Sequence, residues 1–346
     1  MSSTAISAQP VPSLLTIIIT TSPTPSAPST ELVSTILSSF RNHCPALLLC
    51  RVIVVFDTFD RIASHARLKK GQVTTEGAKT FDLYKKNVTE LFLSEFTHHG
   101  NEKVISYDQA EAEFGYDGVD SNFVPFSISR TVDKRITFVA PSKRLGFGLA
   151  VRSALRLTET PFVWVQQHDW SLVSDIPVEP MLNVMRATQD DERSPVKYIC
   201  LPSIRLLSYA DSAHVVRFPE LRRLTSNLKQ EFVTESGEKL PLTPMFFWHD
   251  KPHLASTQHY LSRIFPSRLS IPRGAFIEDT VGQRARNQMK QGDWLKWATW
   301  IYYPENGQRL CLRHLQGRTW EGSEKELAKK AIWRDQNVEK EHKSSE

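Results

Sequence analysis

Short apolar runs alternate with amphipathic segments along the first part of the chain. LLTIIIT at 14–20 and RVIVVFD at 51–57 are continuous apolar runs rich in β-branched residues, so each predicts a buried strand. Between them, residues 30–40 place their apolar side chains on one face of a predicted helix. A strand, a helix and a second strand at this spacing predict a βαβ unit and therefore a parallel sheet.

The same alternation continues towards residue 204. Further strands are predicted at 135–140 (RITFVA), 160–167 (TPFVWVQQ) and 196–204 (VKYICLPSI). A helix is predicted at 149–157, and residues 65–122 are polar and irregular apart from a predicted helix near 79–96. We therefore expect an α/β fold with a mostly parallel central sheet flanked by helices.

The C-terminal part has a different pattern, which predicts a small antiparallel portion. Residues 244–265 are interpreted as a short loop that runs into a helix, and residues 276–289 as a loop followed by a helix. Residues 294–303 and 309–315 alternate in the manner of antiparallel strands or a hairpin.

These segments predict one domain with a tail at each end. Residues 1–13 are rich in Ser, Ala and Pro, which is typical of disorder. The domain is predicted at 14–320, with two halves at 14–170 and 171–320. Residues 321–346 are predicted as a charged helix and tail that opens with a capping box of Ser323 and Glu326.

Composition narrows the possible functions. The 346 residues carry a formal net charge of +5, and no run of Lys or Arg exceeds two, so a dedicated nucleic-acid binder is not expected. The four cysteines form no CxxC pair, which argues against a zinc knuckle and favours a reducing compartment. The early apolar run LLTIII is too short for a transmembrane segment. We expect a soluble, cytoplasmic protein.

Polar side chains follow each predicted parallel strand. They are Thr20, Thr21 and Ser22; Asp57 and Asp60; Lys143, Arg144, Gly146 and Gly148; and His168, Asp169 and Trp170. Ligands of open parallel sheets bind beyond the carboxyl ends of the strands, so these residues predict a shared site. Hydroxyls and carboxylates suit a base and ribose, and a cation with a glycine-relaxed helix start suits phosphate. The alternatives are that Asp57 only caps a turn and that Arg144 is a surface cation.

The segments LLTIIITTSP, RVIVVFD and RLGFGLAVRSALRLTETPFVWVQQHDW resemble family-2-type glycosyltransferases of the GT-A, Rossmann-like fold. The resemblance covers roughly 14–170 and continues thinly to about 320. It implies a nucleotide-binding half at 14–170 and an acceptor half at 171–320. It places Gly146 or Gly148 at the family's loop glycine and Gln167-His168-Asp169 at its DxD motif. It implies an enzyme that moves a sugar from a UDP- or GDP-linked donor to an acceptor hydroxyl of a glycan or small molecule.

The motif is degenerate, because Gln167 stands where the family has its first carboxylate. Asp169 alone can still hold Mn²⁺ or Mg²⁺ together with diphosphate and water, although metal-independence is an alternative. Some enzymes of this fold use a late histidine as a metal ligand, and His314 is placed to do so. Arg318 is positioned to pair with the diphosphate.

The resemblance also implies an acidic pair at a helix start, which Glu278 and Asp279 supply. An inverting transferase needs one general base, and Asp279 is the proposed base with Glu278 as its neighbour or substitute. The alternative is that both acids only favour a helix N-terminus. Acceptor contacts are predicted for Trp170, Trp248, Asp250 and His253, with a plain surface loop as the alternative for 248–253.

Two other functions compete with a transferase. A sugar-phosphate nucleotidyltransferase would have a glycine-rich loop after the first strand, and TTSPTPSAPS at 20–29 has no glycine. A non-catalytic nucleotide-sugar-binding protein of the same fold stays possible because the first motif carboxylate is missing.

Overall fold

The computed structural model describes residues 9–96, 104–119, 121–228, 230–233, 237–329 and 331–332. Its strands are β1 Leu15–Thr21, β2 Arg51–Phe56, β3 Arg61–Ile62, β4 Gln72–Val73, β5 Val104–Glu113, β6 Phe123–Thr131, β7 Ile136–Pro141, β8 Phe162–Gln167, β9 Trp170–Leu172, β10 Tyr198–Cys200, β11 Gln230–Val233, β12 Lys239–Pro244, β13 His253–Ser256, β14 Thr299–Tyr302 and β15 Leu312–His314.

The α-helices are α1 Val11–Leu14, α2 Glu31–His43, α3 Thr75–Phe96, α4 Phe147–Leu155, α5 Val178–Ala187, α6 Ala213–Val216, α7 Pro219–Leu228, α8 Thr257–His259 and α9 Gln283–Lys290. A π-helical turn at Tyr260–Ile264 extends α8, and a second one at Glu278–Gly282 directly precedes α9. Short 3₁₀ segments lie at Pro45–Leu49, Leu68–Lys70, Ile204–Leu206, Tyr209–Asp211, Asp293–Lys296 and Pro304–Gly307.

The main sheet of the described residues has the order β11-β12-β14-β10-β13-β8-β1-β2-β7-β6-β5. Its centre is parallel, because β1 pairs in parallel with both β2 and β8, and β2 pairs in parallel with β7. Antiparallel strands continue the sheet on both sides. All seven residues of β1 are buried, which agrees with its uninterrupted apolar pattern.

Helices pack against this sheet and complete the hydrophobic core. Helix α4 lies on β1 and β2, and α3 contacts β7. The apolar face of α2 buries Leu32, Val33, Ile36, Leu37 and Phe40, as its periodicity predicts. The predicted α/β fold, with a parallel centre, flanking helices and a small antiparallel portion formed by β9 and β15, is confirmed.

Three segments differ from the pattern-based expectation. The region 65–122, predicted to be irregular apart from one helix, contains β5, which pairs in antiparallel fashion with β6 directly after the region. The side chains at the start of β6 alternate between exposed and buried. The segment 244–265 contains β13 before its helix. Strands β14 and β15 do not form a hairpin with each other: β14 lies fully buried between β10 and β12, and β15 pairs with β9.

The two ends of the chain are described only in part. Residues 1–8 of the N-terminus predicted to be disordered, and residues 330 and 333–346 of the charged tail, lie outside the described residues. Residues 323–329 are helical. The amide of Ser323 donates to the carboxylate of Glu31 at 3.0 and 3.1 Å. In the predicted capping box, the side chain of Glu326 would accept from this amide, so Glu31 takes the place of Glu326.

The division of the domain into two halves at residue 170 stays a prediction. None of the helices in the described part of the chain is both long and apolar enough to cross a membrane. All four cysteines are buried and unpaired.

Candidate functional site

The carboxyl ends of β1, β2, β7 and β8 meet at one edge of the sheet, where they border a cleft. The cleft is lined by every residue that the sequence assigned to the nucleotide sugar: Thr20, Thr21, Ser22, Asp57, Arg144, Gly146, His168, Asp169 and Arg318. Polar residues that come directly after parallel strands in the sequence therefore lie around the same cleft in the structure.

Asp57 connects the end of β2 to the loop before α4. Its two carboxylate oxygens accept hydrogen bonds from the amides of Leu145 at 2.7 Å and Gly146 at 3.0 Å. Burial raises the pKa of Asp57 to about 6, although these amides and the charge of Arg144 oppose the shift. Asp57 therefore shapes the cleft wall by fixing the loop that enters α4.

Gly146 and Arg144 are held in the same loop. Gly146 has a φ of +79°, and a Cβ at this position would lie 2.4 Å from the Cα of Gly274. Only glycine fits this close approach of two backbones. Arg144 lies 4.0 Å from Asp60 and donates weakly to the carbonyls of Lys69 and Gly274, both at 3.4 Å, so its guanidinium stays at the rim of the cleft.

His168 takes part in a buried chain of hydrogen bonds on the cleft floor. Its Nδ1 lies 2.9 Å from the hydroxyl of Thr21, which in turn lies 2.6 Å from the hydroxyl of Tyr84. The amide of Ser22 donates to the same Nδ1 at 3.4 Å, so Nδ1 is an acceptor and Nε2 carries the proton of the neutral ring. Burial lowers the pKa of His168, which keeps the imidazole neutral.

Asp169 is buried at the end of the cleft below β8. Its Oδ2 accepts from the Nε2 of His314 and from the amide of Gly317, both at 3.1 Å. Burial alone would raise the pKa of Asp169, but the contacts with His314, His168 and Gly317 outweigh it, so the pKa lies below its usual value. Oδ1 is buried and has no hydrogen-bond partner among the described residues. An ionised oxygen is thus left open to a ligand.

The segment that follows β15 closes this end of the cleft. The ring of His314 packs on the ring of Trp170 at a centroid distance of 4.6 Å, and His314 stays partly exposed. The guanidinium of Arg318 lies 5.3 Å from the ring centroid of Phe276, which also lines the cleft. Trp170 therefore supports His314 beside the cleft and is not among the residues that line it.

The acidic pair lies at the start of the helical segment that leads into α9. Glu278 is half-buried; its Oε2 lies 3.4 Å from the Nδ1 of His249 and accepts from the amide of Asp250 at 3.4 Å. Burial alone would raise the pKa of Glu278, but His249 and the Asp250 amide bring it below its usual value. Asp279 is exposed and has no hydrogen-bond partner in the described part of the chain.

Asp250 faces this pair from the neighbouring loop. Its Oδ2 accepts from the amide of Glu278 at 3.2 Å, while Oδ1 is buried without a partner among the described residues. Burial, and next to it the charge of Glu278, raise the pKa of Asp250 well above its usual value. Asp250 therefore caps the helical segment and does not line the cleft.

Two of the expected acceptor contacts are in the core. Trp248 and His253 are both 0% exposed, and Trp248 packs on Tyr198 at a centroid distance of 4.2 Å. The Nδ1 of His253 donates to the carbonyl of Lys251 at 2.7 Å, and burial lowers the pKa of His253 to about 3. A buried indole offers no face to a sugar, so stacking by Trp248 and hydroxyl binding by His253 are not carried further.

Several residues that line the cleft or border it were not found from the sequence. They are Thr58, Phe59, Gln72, Val73 and Phe276, which line the cleft, and Tyr84, which contacts Thr21 there. Thr58 directly follows the predicted second strand at 51–57, so the same rule could have included it. Gln72 and Val73 lie in β4, within a polar stretch that has no clear periodicity, so pattern analysis offered no signal for them.

The arrangement fits a divalent cation only when a ligand contributes to the coordination shell. In the described part of the chain, no group of three or more His, Cys, Asp or Glu side chains could hold a metal ion. Asp169 offers one free buried oxygen, and His314 offers an imidazole next to the same carboxylate. Mg²⁺ and similar ions are commonly held by one or two carboxylates together with phosphates and water, which this pair can accommodate.

Comparisons with known proteins give similar solved structures only. No family model and no curated protein matches the chain. TarS 1-349 from S. aureus is 10% identical at a TM-score of 0.40, with 86% of this chain and 59% of that chain covered. The mannosyltransferase PcManGT from Pyrobaculum calidifontis, solved with GDP-Man and Mn²⁺, is 12% identical at a TM-score of 0.38, with 85% of this chain and 58% of that chain covered.

Glucosyl-3-phosphoglycerate synthase from Mycobacterium tuberculosis, solved with Mn²⁺, UDP and glucosyl-3-phosphoglycerate, is 12% identical at a TM-score of 0.31 over 72% of this chain and 58% of that chain. The chain thus spans between 58% and 59% of the length of these three structures. With TM-scores of 0.40 or below, these similarities carry no argument about the ligands or the reaction of this chain.

Proposed function

We propose that this chain is a glycosyltransferase that binds a nucleotide-diphospho-sugar in the cleft and transfers the sugar to an acceptor hydroxyl. One observation supports this most strongly. Polar residues from the ends of β1, β2 and β8 and from the loop after β7 line a single cleft, where Asp169 leaves one buried oxygen without a partner among the described residues. Such an ionised, desolvated oxygen calls for a cationic partner, which a cation bound to a diphosphate supplies.

The order of the strands suggests how a donor would lie. Asp169 follows β8, and Asp57 follows β2, with β1 between them. Neighbouring strands are about 4.8 Å apart, so these two ends of the cleft are separated by roughly 10 Å, enough for a nucleoside. We place the diphosphate near Asp169, His314 and Arg318 and the base near Asp57 and Phe59.

The proposed reaction is a single displacement with inversion at the anomeric carbon. Asp279 accepts the proton of the acceptor hydroxyl while the acceptor oxygen forms a bond to the anomeric carbon. The bond from that carbon to the diphosphate oxygen breaks, and its electron pair leaves with the diphosphate. Arg318 lies beside this group and balances its charge. A divalent cation held by Asp169 and His314 would stabilise the same negative charge.

Asp279 suits the role of base better than Glu278 because its carboxylate is exposed and open to an acceptor. Glu278 already contacts His249 and the amide of Asp250, so its oxygen is occupied by protein groups. In this proposal Glu278 stabilises the start of the helical segment. The proposed acceptor is a glycan or a small molecule. The soluble, cytoplasmic location expected from the sequence stays a prediction.

A binding experiment tests the proposal. Thermal unfolding is followed with UDP-, GDP-, CMP- and ADP-linked sugars, each with and without Mn²⁺. A ligand at 100 times its Kd stabilises the native state by about 2.7 kcal/mol, so a true donor gives a clear rise in Tm. We expect a UDP- or GDP-linked sugar to do so, with a larger shift when Mn²⁺ is present.

A chain that no nucleotide sugar stabilises contradicts the proposal. A chain that binds a nucleotide sugar but neither transfers nor hydrolyses it is the non-catalytic binding protein of the alternative. That alternative draws on Gln167, which leaves Asp169 as the single carboxylate of the motif.

A further inference from the structure

Gln167 occupies a position that joins two parts of the molecule. It is the last residue of β8 and lines the donor cleft together with His168 and Asp169. Its Nε2 donates a hydrogen bond of 2.8 Å to the main-chain carbonyl of Asp250. The side chain that replaces a motif carboxylate is thus bound to the loop that precedes β13.

The antiparallel pairing of β13 with β8 explains why this loop is within reach. His253 lies opposite Val165, so the residues before β13 pass the carboxyl end of β8. The hydroxyl of Tyr198 donates to the carbonyl of His249 at 3.0 Å and holds the loop from the side of β10. The backbone at His249 and Asp250 is therefore fixed by two side chains from neighbouring strands.

Asp250 passes this restraint to the helical segment that carries the acidic pair. Its Oδ2 accepts from the amide of Glu278 at 3.2 Å, and its own amide donates to the Oε2 of Glu278 at 3.4 Å. The two residues bind each other reciprocally, as the two ends of a capping box do. Asp250 is only 3% exposed, so solvent does not replace these contacts.

We infer that Gln167 is a positioning residue that holds the start of the Glu278–Gly282 segment, and with it Asp279, at a fixed distance from the donor cleft. The restraint runs from the Gln167 amide to the Asp250 carbonyl, and from Asp250 to Glu278. A carboxylate at position 167 would face that carbonyl with an acceptor and could not form this bond. This inference rests on the proposed function for the role of Asp279.

Two variants of Gln167 test the inference. Gln167→Met keeps the length and removes the donor, and Gln167→Asn keeps the amide but is one methylene too short to reach Asp250. The matched controls are Gln308→Met and Gln308→Asn, because Gln308 is exposed and its Nε2 donates to the hydroxyl of Ser208 at 2.8 Å, away from the cleft. The probes are UDP-glucose and GDP-mannose, with water as the acceptor.

For the Gln167 variants we expect kcat to fall by up to about 100-fold, since a misplacement of 1 Å has effects of that order. The KM for the donor and the Kd of UDP or GDP should change by less than about threefold, because the hydrogen bond that is lost joins two protein groups. Amide hydrogen exchange in peptides covering 247–252 and 276–282 should become faster. The Gln308 variants should match the wild type in all of these measurements.

Two results would overturn the inference. Unchanged hydrogen exchange in both peptides would show that the Gln167 side chain does not restrain the loop. A loss of nucleotide affinity that accounts for the whole loss of turnover would make Gln167 a donor ligand. If the proposed function is wrong, the wild-type chain binds neither UDP nor GDP. Amide hydrogen exchange then still decides whether Gln167 restrains the loop.

Discussion

Asp57 combines a structural task with an unfavourable charge. Its ionised form binds the amides of Leu145 and Gly146, yet burial raises its pKa from 3.8 to about 6. The folded state therefore binds the proton more tightly than the unfolded state between pH 4 and pH 6. Stability falls as the pH rises through this range, because the unfolded chain ionises first.

The size of this effect follows from the shift. A change from 3.8 to about 6 corresponds to about 3 kcal/mol of stability that is present near pH 4 and lost above pH 6. We predict that the difference in unfolding free energy between the wild type and Asp57→Asn changes in this direction between pH 4 and pH 7. Urea denaturation at each pH measures it, and a pH-independent difference would show that Asp57 is not desolvated in solution.

The prediction for Asp169 concerns ligand affinity and not stability. Asp169→Asn keeps the size of the side chain and an acceptor for the amide of Gly317, so the fold should persist. The ionised oxygen that has no partner among the described residues is lost, and we expect the affinity for UDP or GDP in the presence of Mn²⁺ to fall about tenfold or more. Calorimetry without Mn²⁺ is the control, where the variant should lose much less. Equal affinities with Mn²⁺ would remove Asp169 from the donor site.

At the level of single residues, the sequence was informative where position along a strand decides the environment. Asp57, His168 and Asp169 were found because each lies at the end of a predicted buried strand or within two residues after it. Trp248 was misjudged because WHDKPH has a polar composition, whereas its indole packs between Tyr198 and Tyr260. Contacts of this kind depend on strands that are distant in sequence, which local composition does not reveal.

Among the elements, the loop between β7 and α4 depends on one glycine. A Cβ at Gly146 would lie 2.4 Å from the backbone of Gly274, and the φ of +79° is itself unfavourable for other residues. We predict that Gly146→Ala destabilises the protein by more than 2 kcal/mol and weakens nucleotide binding, because the loop must move away from Asp57.

Gly118→Ala is the matched control for this prediction. Gly118 has a similar φ of +73°, but a Cβ there would have no neighbour within 4 Å. The control therefore includes the backbone strain of about 1–2 kcal/mol without the contact between two backbones. Chemical denaturation compares the two variants. Equal losses would mean that the approach of Gly274 has no part in holding the loop.

The elements themselves were predictable to different degrees. Strands β1, β2 and β8 are buried on both faces, and uninterrupted apolar runs of β-branched residues identify them. Strand β13 was hidden because HLAS is short and adjoins a helix. The partner of β15 was also missed, since its pairing with β9 spans a large part of the chain and no local turn fixes it.

For the whole molecule, the order of strands separates the two proposed tasks. The residues proposed to bind the donor follow β1, β2 and β8, whereas the acidic pair belongs to the C-terminal half and is connected to the end of β8 through Asp250. The C-terminal segment then returns to the N-terminal half, where Gly317 binds Asp169 and Ser323 binds Glu31. Donor binding and proton transfer should therefore respond to different substitutions.

The final prediction concerns this separation. Asp279→Asn removes the proposed proton acceptor but keeps the size of the side chain, so transfer or hydrolysis should fall by roughly 10²–10⁴-fold. The rise in Tm with a saturating nucleotide should equal that of the wild type, because the exposed Asp279 does not line the donor cleft. Steady-state kinetics and thermal unfolding measure the two effects on the same preparation.

Glu278→Gln is the comparison that decides between the two acids. Its carboxylate contacts His249 and the Asp250 amide, so the variant should lower both stability and turnover moderately. A larger loss of turnover in Glu278→Gln than in Asp279→Asn would make Glu278 the base. Full activity in both variants would exclude the acidic pair from proton transfer.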